Sequence, residues 1–249
     1  MTAEDGPDDL AGILDLADWR RRIGSLYAEV RQLAATDPGA ALGHWRATRE
    51  TMFREHPQSP VLPADRASFR ARHFEHDPAL RFEVPVEPVP APDTDPSTSS
   101  TGVGDVGGLG AVGRFEGFGG LSGPAGGLTI ELPVSVGGAM AFRRIGSMAV
   151  PFPAGTRRLE LYWMAGYAGG LFLPFRDTTN GTETYGAGRY LLDGAKSADL
   201  GPGREPDSLI LDFNFAFQPS CAFDPKYACP LAPPPNRLDL PVRAGERLQ

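Results

Sequence analysis

The stretch SLILDFNFAFQ, residues 208–218, decides the fold. Large apolar side chains recur in it with a period of two, at Leu209, Leu211, Phe213, Phe215 and Phe217. Successive side chains of a β-strand point to opposite faces, so this pattern predicts one strand with a fully apolar face. Asp212 and Asn214 belong to the opposite face. Because that face also carries Ile210 and Ala216, we expect it to be half-buried or to line a cavity.

The same period of two recurs on both sides of this stretch. Alternating or continuous apolar segments lie at 82–86, 128–134, 142–150, 158–163, 171–175, 189–192 and 238–242. Together with 209–217 they predict about eight short strands, separated by turns rich in Gly and Pro. Strands of this kind, without intervening helices, are typical of an antiparallel barrel or sandwich and disfavour a Rossmann-like sheet. The fold class is therefore mainly β.

The chain before the first strand has a helical period instead. Its apolar residues recur at spacings of three and four, at Leu16, Trp19, Ile23, Leu26, Val30 and Leu33. Such spacing places all six on one face of a helix over 15–34. A second helix begins at Asp37-Pro38, a capping aspartate followed by a first-turn proline, and ends before Pro57. We expect the two helices to form a hairpin that packs on the β domain.

Composition divides the chain into four parts. Residues 1–56 form the helical segment, 57–87 an irregular segment with the first strand, and 128–249 the β domain. Between them, residues 88–127 hold 12 Gly and five Pro. That composition predicts a disordered insert, because it offers too little apolar surface to form a core.

Charge and hydropathy exclude two classes of partner. The net charge of −7 repels phosphate backbones, so we expect no nucleic-acid partner. We also expect no membrane partner, because no apolar run approaches the length of a membrane span. The acidic N-terminus lacks the basic start and apolar run of a signal peptide, which makes the cytoplasm the expected location.

Histidine and cysteine spacing predicts neither a metal nor another cofactor. His56, His73 and His76 lie in or beside the irregular segment, with no cysteine or carboxylate at a standard ligand spacing. Cys221 and Cys229 are too few for a disulfide framework and are not a Cys-x-x-Cys motif. Two interpretations of them stay open: packed thiols, or a disulfide that clamps the loop under oxidation.

The candidate site is the turn at 175–190, together with the polar face of 209–217. We expect these segments to meet in one concave site, with a small molecule as the partner. The candidate ligand-binding residues are Arg176, Asp177, Glu183, Tyr185, Arg189, Tyr190, Asp212 and Asn214.

The order of these motifs resembles domain-of-unknown-function family 1684. The resemblance rests on FRDTTNGTETYGAGRYL at 175–191, DFNFA at 212–216, PSCAF at 219–223, CPL at 229–231 and NRL at 236–238. It covers roughly residues 140–247, and FREHPQSP at 53–60 looks like the N-terminal part of the family. Gln218 stands where the family commonly has asparagine, and the Gly-rich insert is a second departure. The resemblance supports the fold and the place of the site and implies no reaction.

Three interpretations of the cluster compete. In the structural one, its charged residues are ion pairs and turn caps that hold a hairpin, within a purely structural or interaction domain. In the second, Tyr185 and Tyr190 form the sides of a small-ligand site in which Arg176 or Arg189 binds a polar or anionic group. The third is a metal-independent hydrolase.

The hydrolase interpretation depends on two carboxylates. Glu183 and Asp212 are the candidate catalytic acid and base, provided that their environments separate their pKa values. The sequence contains neither a Gly-x-Ser-x-Gly elbow nor a zinc-protease motif that would name a hydrolase class. Whether the protein is an enzyme is therefore left open by the sequence.

Overall fold

The structure, a computed structural model, describes residues 10–90, 129–165 and 169–248. Within these ranges it has two helices, α1 (Leu10–Ala34) and α2 (Pro38–Glu55), and eight strands. The strands are β1 (Arg81–Pro85), β2 (Glu87–Pro88), β3 (Thr129–Pro133), β4 (Ala139–Phe152), β5 (Gly155–Met164), β6 (Leu171–Phe175), β7 (Arg189–Asp193) and β8 (Ser208–Asp212). The predicted disordered insert lies outside the described residues, apart from 88–90.

The N-terminal helical hairpin is confirmed. Asp37 caps α2, its carboxylate accepting the backbone N–H of Ala40 at 2.9 Å, and Pro38 occupies the first turn. Helix α1 begins five residues earlier than the apolar stripe predicted. The hairpin packs on the β strands through the fully buried Trp45, whose ring meets Phe215 edge-on at 5.4 Å.

The strands form two antiparallel sheets. One pairs β1 with β8, and the other has the order β2-β4-β5-β6-β7, with β3 also paired to β4. The predicted hairpin from 171–175 to 189–192 is present as β6 and β7. Among the described residues the sheets do not close into a barrel, so a sandwich is the architecture that fits. The mainly β fold with about eight strands is confirmed.

The stretch at 208–218 is not the single strand that its alternation predicted. Strand β8 ends at Asp212, and Phe213–Phe215 form a 3-10 turn. The Asp212 carboxylate accepts the backbone N–H of Asn214 at 3.0 Å, a local bond that competes with the ladder and turns the chain. As a result, Phe213 packs in the core between the sheets, while Phe215 and Phe217 pack in the core beneath the helices.

The last predicted strand, 238–242, is also absent. Leu238, Leu240 and Val242 are buried as expected, but they lie in irregular backbone. The three prolines at 233–235 supply no N–H groups to a ladder. The Asn236 amide serves instead, donating to the carbonyls of Pro174 and Glu160 at 2.8 and 2.9 Å. Backbone pairing is reduced here to an isolated parallel bridge between Arg176 and Arg237, and the Asn236 side chain adds to it.

A histidine under α2 gives the fold a pH dependence. The ring of His73 packs edge-on against Trp45 at 5.8 Å, and burial lowers its pKa to about 4 from the ordinary value of 6.5. Since the folded pKa lies below the unfolded one, protonation opposes folding. The part of the stability that depends on a neutral His73 is fully present above about pH 6.5 and is lost as the pH falls towards 4. Over this interval, protonation of His73 is expected to lower the free energy of unfolding by about 2 kcal/mol, after allowance for its partial exposure.

Denaturant unfolding of the wild type and His73→Gln at about pH 7 and about pH 4.5 measures this loss. The variant should lose less stability on acidification than the wild type. His76→Gln is the matched control, because His76 is exposed. Equal acid losses in all three proteins would contradict the assignment.

Candidate functional site

The predicted turn between β6 and β7 is organised around Asp177 and Arg189. The Arg189 Nη2 donates to Asp177 Oδ2 at 2.8 Å, and both side chains are fully buried. The other oxygen of Asp177 accepts the backbone N–H of Thr179 at 2.8 Å and its hydroxyl at 2.5 Å. The Asp177–Arg189 pair therefore holds the two ends of the turn together.

Arg189 also fastens the C-terminal segment to the sheet. Its Nη atoms donate to the carbonyls of Val242 at 2.7 Å and of Glu246 at 3.2 Å, and also to the carbonyl of Ala244. Burial lowers the pKa of Arg189, and the charge of Asp177 opposes that shift. With a carboxylate and three carbonyls bound to it, this guanidinium holds protein groups together. That geometry supports the structural interpretation for this pair.

Asp212 and Asn214 form a second network. The Asn214 amide donates to Asp212 Oδ1 and to the carbonyl of Asp77, both at 2.8 Å, and its oxygen accepts the Asp77 N–H at 2.9 Å. Arg81 Nη1 donates to Asp212 Oδ2 at 3.3 Å, so Asp212 has the arginine partner expected of a buried carboxylate. Among the described residues, no hydrogen bond joins this network to Arg189.

The two candidate catalytic carboxylates have unlike partners. Glu183 lies at the surface and pairs with Arg243 at 2.9 Å, and this hydrogen bond lowers its pKa. Asp212 is fully buried against Asn214 and Arg81. No contact joins the two carboxylates in the part of the chain that the structure describes. Acid/base catalysis by this pair stays a prediction that these contacts do not support.

The remaining predicted residues contact neighbouring backbone. The hydroxyl of Tyr185 donates to the carbonyl of Cys221 at 3.3 Å, and that of Tyr190 donates to the carbonyl of Pro230. The backbone of Arg176 bonds to residues 236 and 238. These contacts tie the turn to the 219–238 loop.

A cavity of about 240 Å³ is lined by the two helices and by the segments 58–60, 195–198 and 217–227, which lie outside the β strands. None of the eight predicted residues lines it. Six of its lining side chains are aromatic: Trp19, Tyr27, Phe53, Phe217, Phe223 and Tyr227. Its ionisable cations are Arg20, Arg49 and Lys196, and no acidic side chain or histidine is among its lining residues. The wall is thus apolar with an excess of hydrogen-bond donors.

Arg49 forms a rigid part of this wall. It is buried, and its guanidinium lies 4.8–4.9 Å from the ring centroids of Trp45, Phe53 and Phe217. Its Nε and Nη2 donate to Glu246 Oε1 at 3.1 and 2.7 Å. Because Glu246 neutralises its charge, Arg49 serves chiefly to position the surrounding rings.

Lys196 and Tyr27 supply adaptable donors. The Lys196 Nζ lies 3.0 Å from Asp193 Oδ2, and its side chain is 32% exposed. The Tyr27 oxygen accepts the indole N–H of Trp45 at 3.1 Å. Since an indole only donates, the Tyr27 hydrogen can serve another acceptor. Burial raises the pKa of Tyr27 to about 12, which keeps that hydrogen in place at neutral pH.

Sequence reasoning missed this cavity because its wall comes from four distant segments. The one usable signal is in α2, where Arg49 follows Trp45 by four residues and precedes Phe53 by four. Positions four apart share a helix face, so an arginine within an apolar stripe indicates a buried cation.

The histidines have structural contacts. The His56 Nδ1 accepts the Gln58 N–H at 3.1 Å, and its Nε2 lies 3.3 Å from Asp18. Across the described ranges, no group of three or more His, Cys, Asp or Glu side chains is placed to hold a metal ion. Neither α1 nor α2, nor any other described helix, is long and apolar enough to cross a membrane.

Comparison with known proteins identifies relatives without an assigned function. A family model described as "Protein of unknown function (DUF1684)" matches residues 123–247. The solution NMR structure of an uncharacterized protein from Haloarcula marismortui is similar, with 27% identity and a TM-score of 0.54. That likeness covers 86% of this chain and 96% of the other, so it extends well into the region before residue 123. No curated protein matches this sequence.

Proposed function

Since this chain belongs to the DUF1684 family, whose description assigns no activity, we propose from the cavity itself that the protein binds a small organic anion with an apolar body. The observation that carries the proposal is the lining of the cavity. Six aromatic rings face it together with the cationic side chains of Arg20 and Lys196, and no carboxylate is among its lining residues. Arg49 also lines it, but Glu246 neutralises its charge. This combination suits an amphipathic anion better than a neutral polar molecule.

Cavity size limits the ligand. About 240 Å³ is slightly below the range of roughly 300–1,000 Å³ that is common for ligand sites. One or two fused rings, or a short acyl chain, would fill it. The proposed class is therefore a small aromatic or aliphatic carboxylate or phosphate.

The donors of the cavity suit the acidic end of such a ligand. Lys196 and the exposed Arg20 offer charged N–H groups, which make stronger hydrogen bonds to oxyanions than neutral donors do. The free hydrogen of Tyr27 adds a neutral donor from the helical side. Ligand binding would exchange part of the Lys196–Asp193 interaction for one with the ligand.

Binding is favoured over acid/base catalysis at this cavity. Ser220 is the one aliphatic hydroxyl among its lining residues, and no lining histidine or carboxylate is present to activate it. We therefore infer a binding protein.

Calorimetric titration with a matched pair of probes tests the proposal. Naphthoate and naphthamide have the same ring system, but only naphthoate carries a negative charge. We expect saturable binding of naphthoate at one site, with naphthamide at least about tenfold weaker, since a charged hydrogen bond contributes roughly 1.5–3 kcal/mol. Equal affinities would reject the anion preference. No binding of naphthoate, octanoate or phenyl phosphate would reject the function.

A further inference from the structure

Cys221 and Cys229 form a preorganised pair that the ligand cavity does not use. The backbone N–H of Cys221 donates to Cys229 Sγ at 3.3 Å, so the Cys229 sulfur lies against the Cys221 backbone. Both are free thiols. We propose that they are a redox-active dithiol that reduces small hydroperoxides and closes to an intrachain disulfide.

Separate segments hold the two sulfur atoms in place. Cys221 sits in the 3-10 turn Ser220–Ala222. Cys229 is fixed by Ser135, whose backbone N–H donates to the Cys229 carbonyl at 3.0 Å and whose hydroxyl accepts the Cys229 N–H at 3.1 Å. The 3-10 turn and the contacts with Ser135 thus hold the two thiols of this one loop near each other before any oxidation.

The surroundings of the pair favour a small oxidant. Both cysteines are buried, at 6% and 5% exposure, which disfavours bulky disulfides. Their contacts reach the surface, however, because Ser135 is exposed and Tyr185 is half-buried. A hydroperoxide the size of a few atoms is the class of oxidant that fits such access.

The environment gives the two thiols different roles. Contact with the Cys229 side chain lowers the pKa of Cys221, against the opposing effect of burial. The same contact and burial raise the pKa of Cys229. At neutral pH, Cys221 is therefore the thiolate nucleophile and Cys229 the resolving thiol.

The reaction balances over two steps. The Cys221 thiolate attacks one peroxide oxygen; the O–O bond breaks, the alkoxide takes a proton from water, and Cys221 becomes a sulfenic acid. Cys229 then attacks the sulfenic sulfur, the S–O bond breaks, and hydroxide leaves with the Cys229 proton as water. The two thiols have supplied two electrons to the O–O bond. A small dithiol restores the pair by thiol–disulfide exchange.

Intact-mass spectrometry after treatment with hydrogen peroxide tests the proposal. The wild type should lose two hydrogen masses and regain them with dithiothreitol. Cys229→Ser should stop at a sulfenic acid that dimedone traps, and Cys221→Ser should not react. A wild type that stays reduced, or a Cys221→Ser variant oxidised as fast as the wild type, would overturn it.

The pH dependence of alkylation decides the matter even if a variant fails to fold. Iodoacetamide should modify wild-type Cys221 with a midpoint clearly below the pH at which an ordinary thiol titrates. A midpoint at about 8.5, the value of an ordinary thiol, would reject the activated pair. Neither readout depends on the ligand cavity, so failure here leaves the proposed binding function standing.

Discussion

Replacement of Arg189 by methionine is expected to lower the free energy of unfolding by about 3–5 kcal/mol. Asp177 would keep a buried carboxylate without its charged partner. The carbonyls of Val242, Ala244 and Glu246 would also lose their donors. The C-terminal segment, which Arg189 attaches to β7, should become more accessible to proteases.

Denaturant unfolding measures the loss of stability in Arg189→Met, and Arg243→Met serves as the matched control. Arg243 pairs with the surface carboxylate of Glu183, so its loss should change the free energy of unfolding far less than the loss of Arg189. If Arg189→Met instead stayed as stable as the wild type and lost the binding of naphthoate, the turn at 175–190 would be the ligand site. That result would reverse the assignment made from the geometry.

Replacement of Lys196 by methionine is expected to weaken naphthoate binding by about tenfold or more. Lys196 offers a charged donor at the cavity, and methionine keeps the apolar stem while removing the charge. Some stability should be lost as well, because Asp193 is buried and would lose its cation, so a thermal melt must show that the variant is folded before its binding is measured. Arg49 is a poorer choice for this test, since its side chain is itself buried and its loss would also disturb the three rings around it.

The chain offers a matched control for this variant. Lys226 is the one other lysine in the sequence and pairs with Asp224, and it is not among the residues that line the cavity. Lys226→Met makes the same change in net charge. Calorimetry should find wild-type affinity in Lys226→Met, and equal losses in both variants would indicate a general charge effect with no contact at Lys196.

Local signals were sufficient to predict the helices and the β6–β7 hairpin. Asp37-Pro38 defines the start of α2 through one capping bond. At 208–218 the local pattern was misleading, because an unbroken alternation looks the same whether the chain continues straight or turns between two cores. The deciding bond, from the Asn214 N–H to Asp212, is a side-chain contact that the period of two does not reveal.

The candidate site could be predicted only where its partners are close in sequence. Asp177 and Arg189, at the two ends of one hairpin, were recognised as a group. The carbonyls at 242–246 that complete the Arg189 network are more than fifty residues away. The cavity depends on still more distant segments, which meet only because the helical hairpin packs against the segments 195–198 and 217–227.

Nuclear magnetic resonance titration of the nitrogen-15-labelled protein with naphthoate tests the binding site most directly. We expect saturable shifts at the Trp19 indole and at the amides of Lys196, Ser220 and Tyr227, which surround the cavity. Amides of the 177–184 turn should stay unchanged. Shifts centred on that turn, or no shifts at millimolar naphthoate, would contradict the assignment of the cavity as the site.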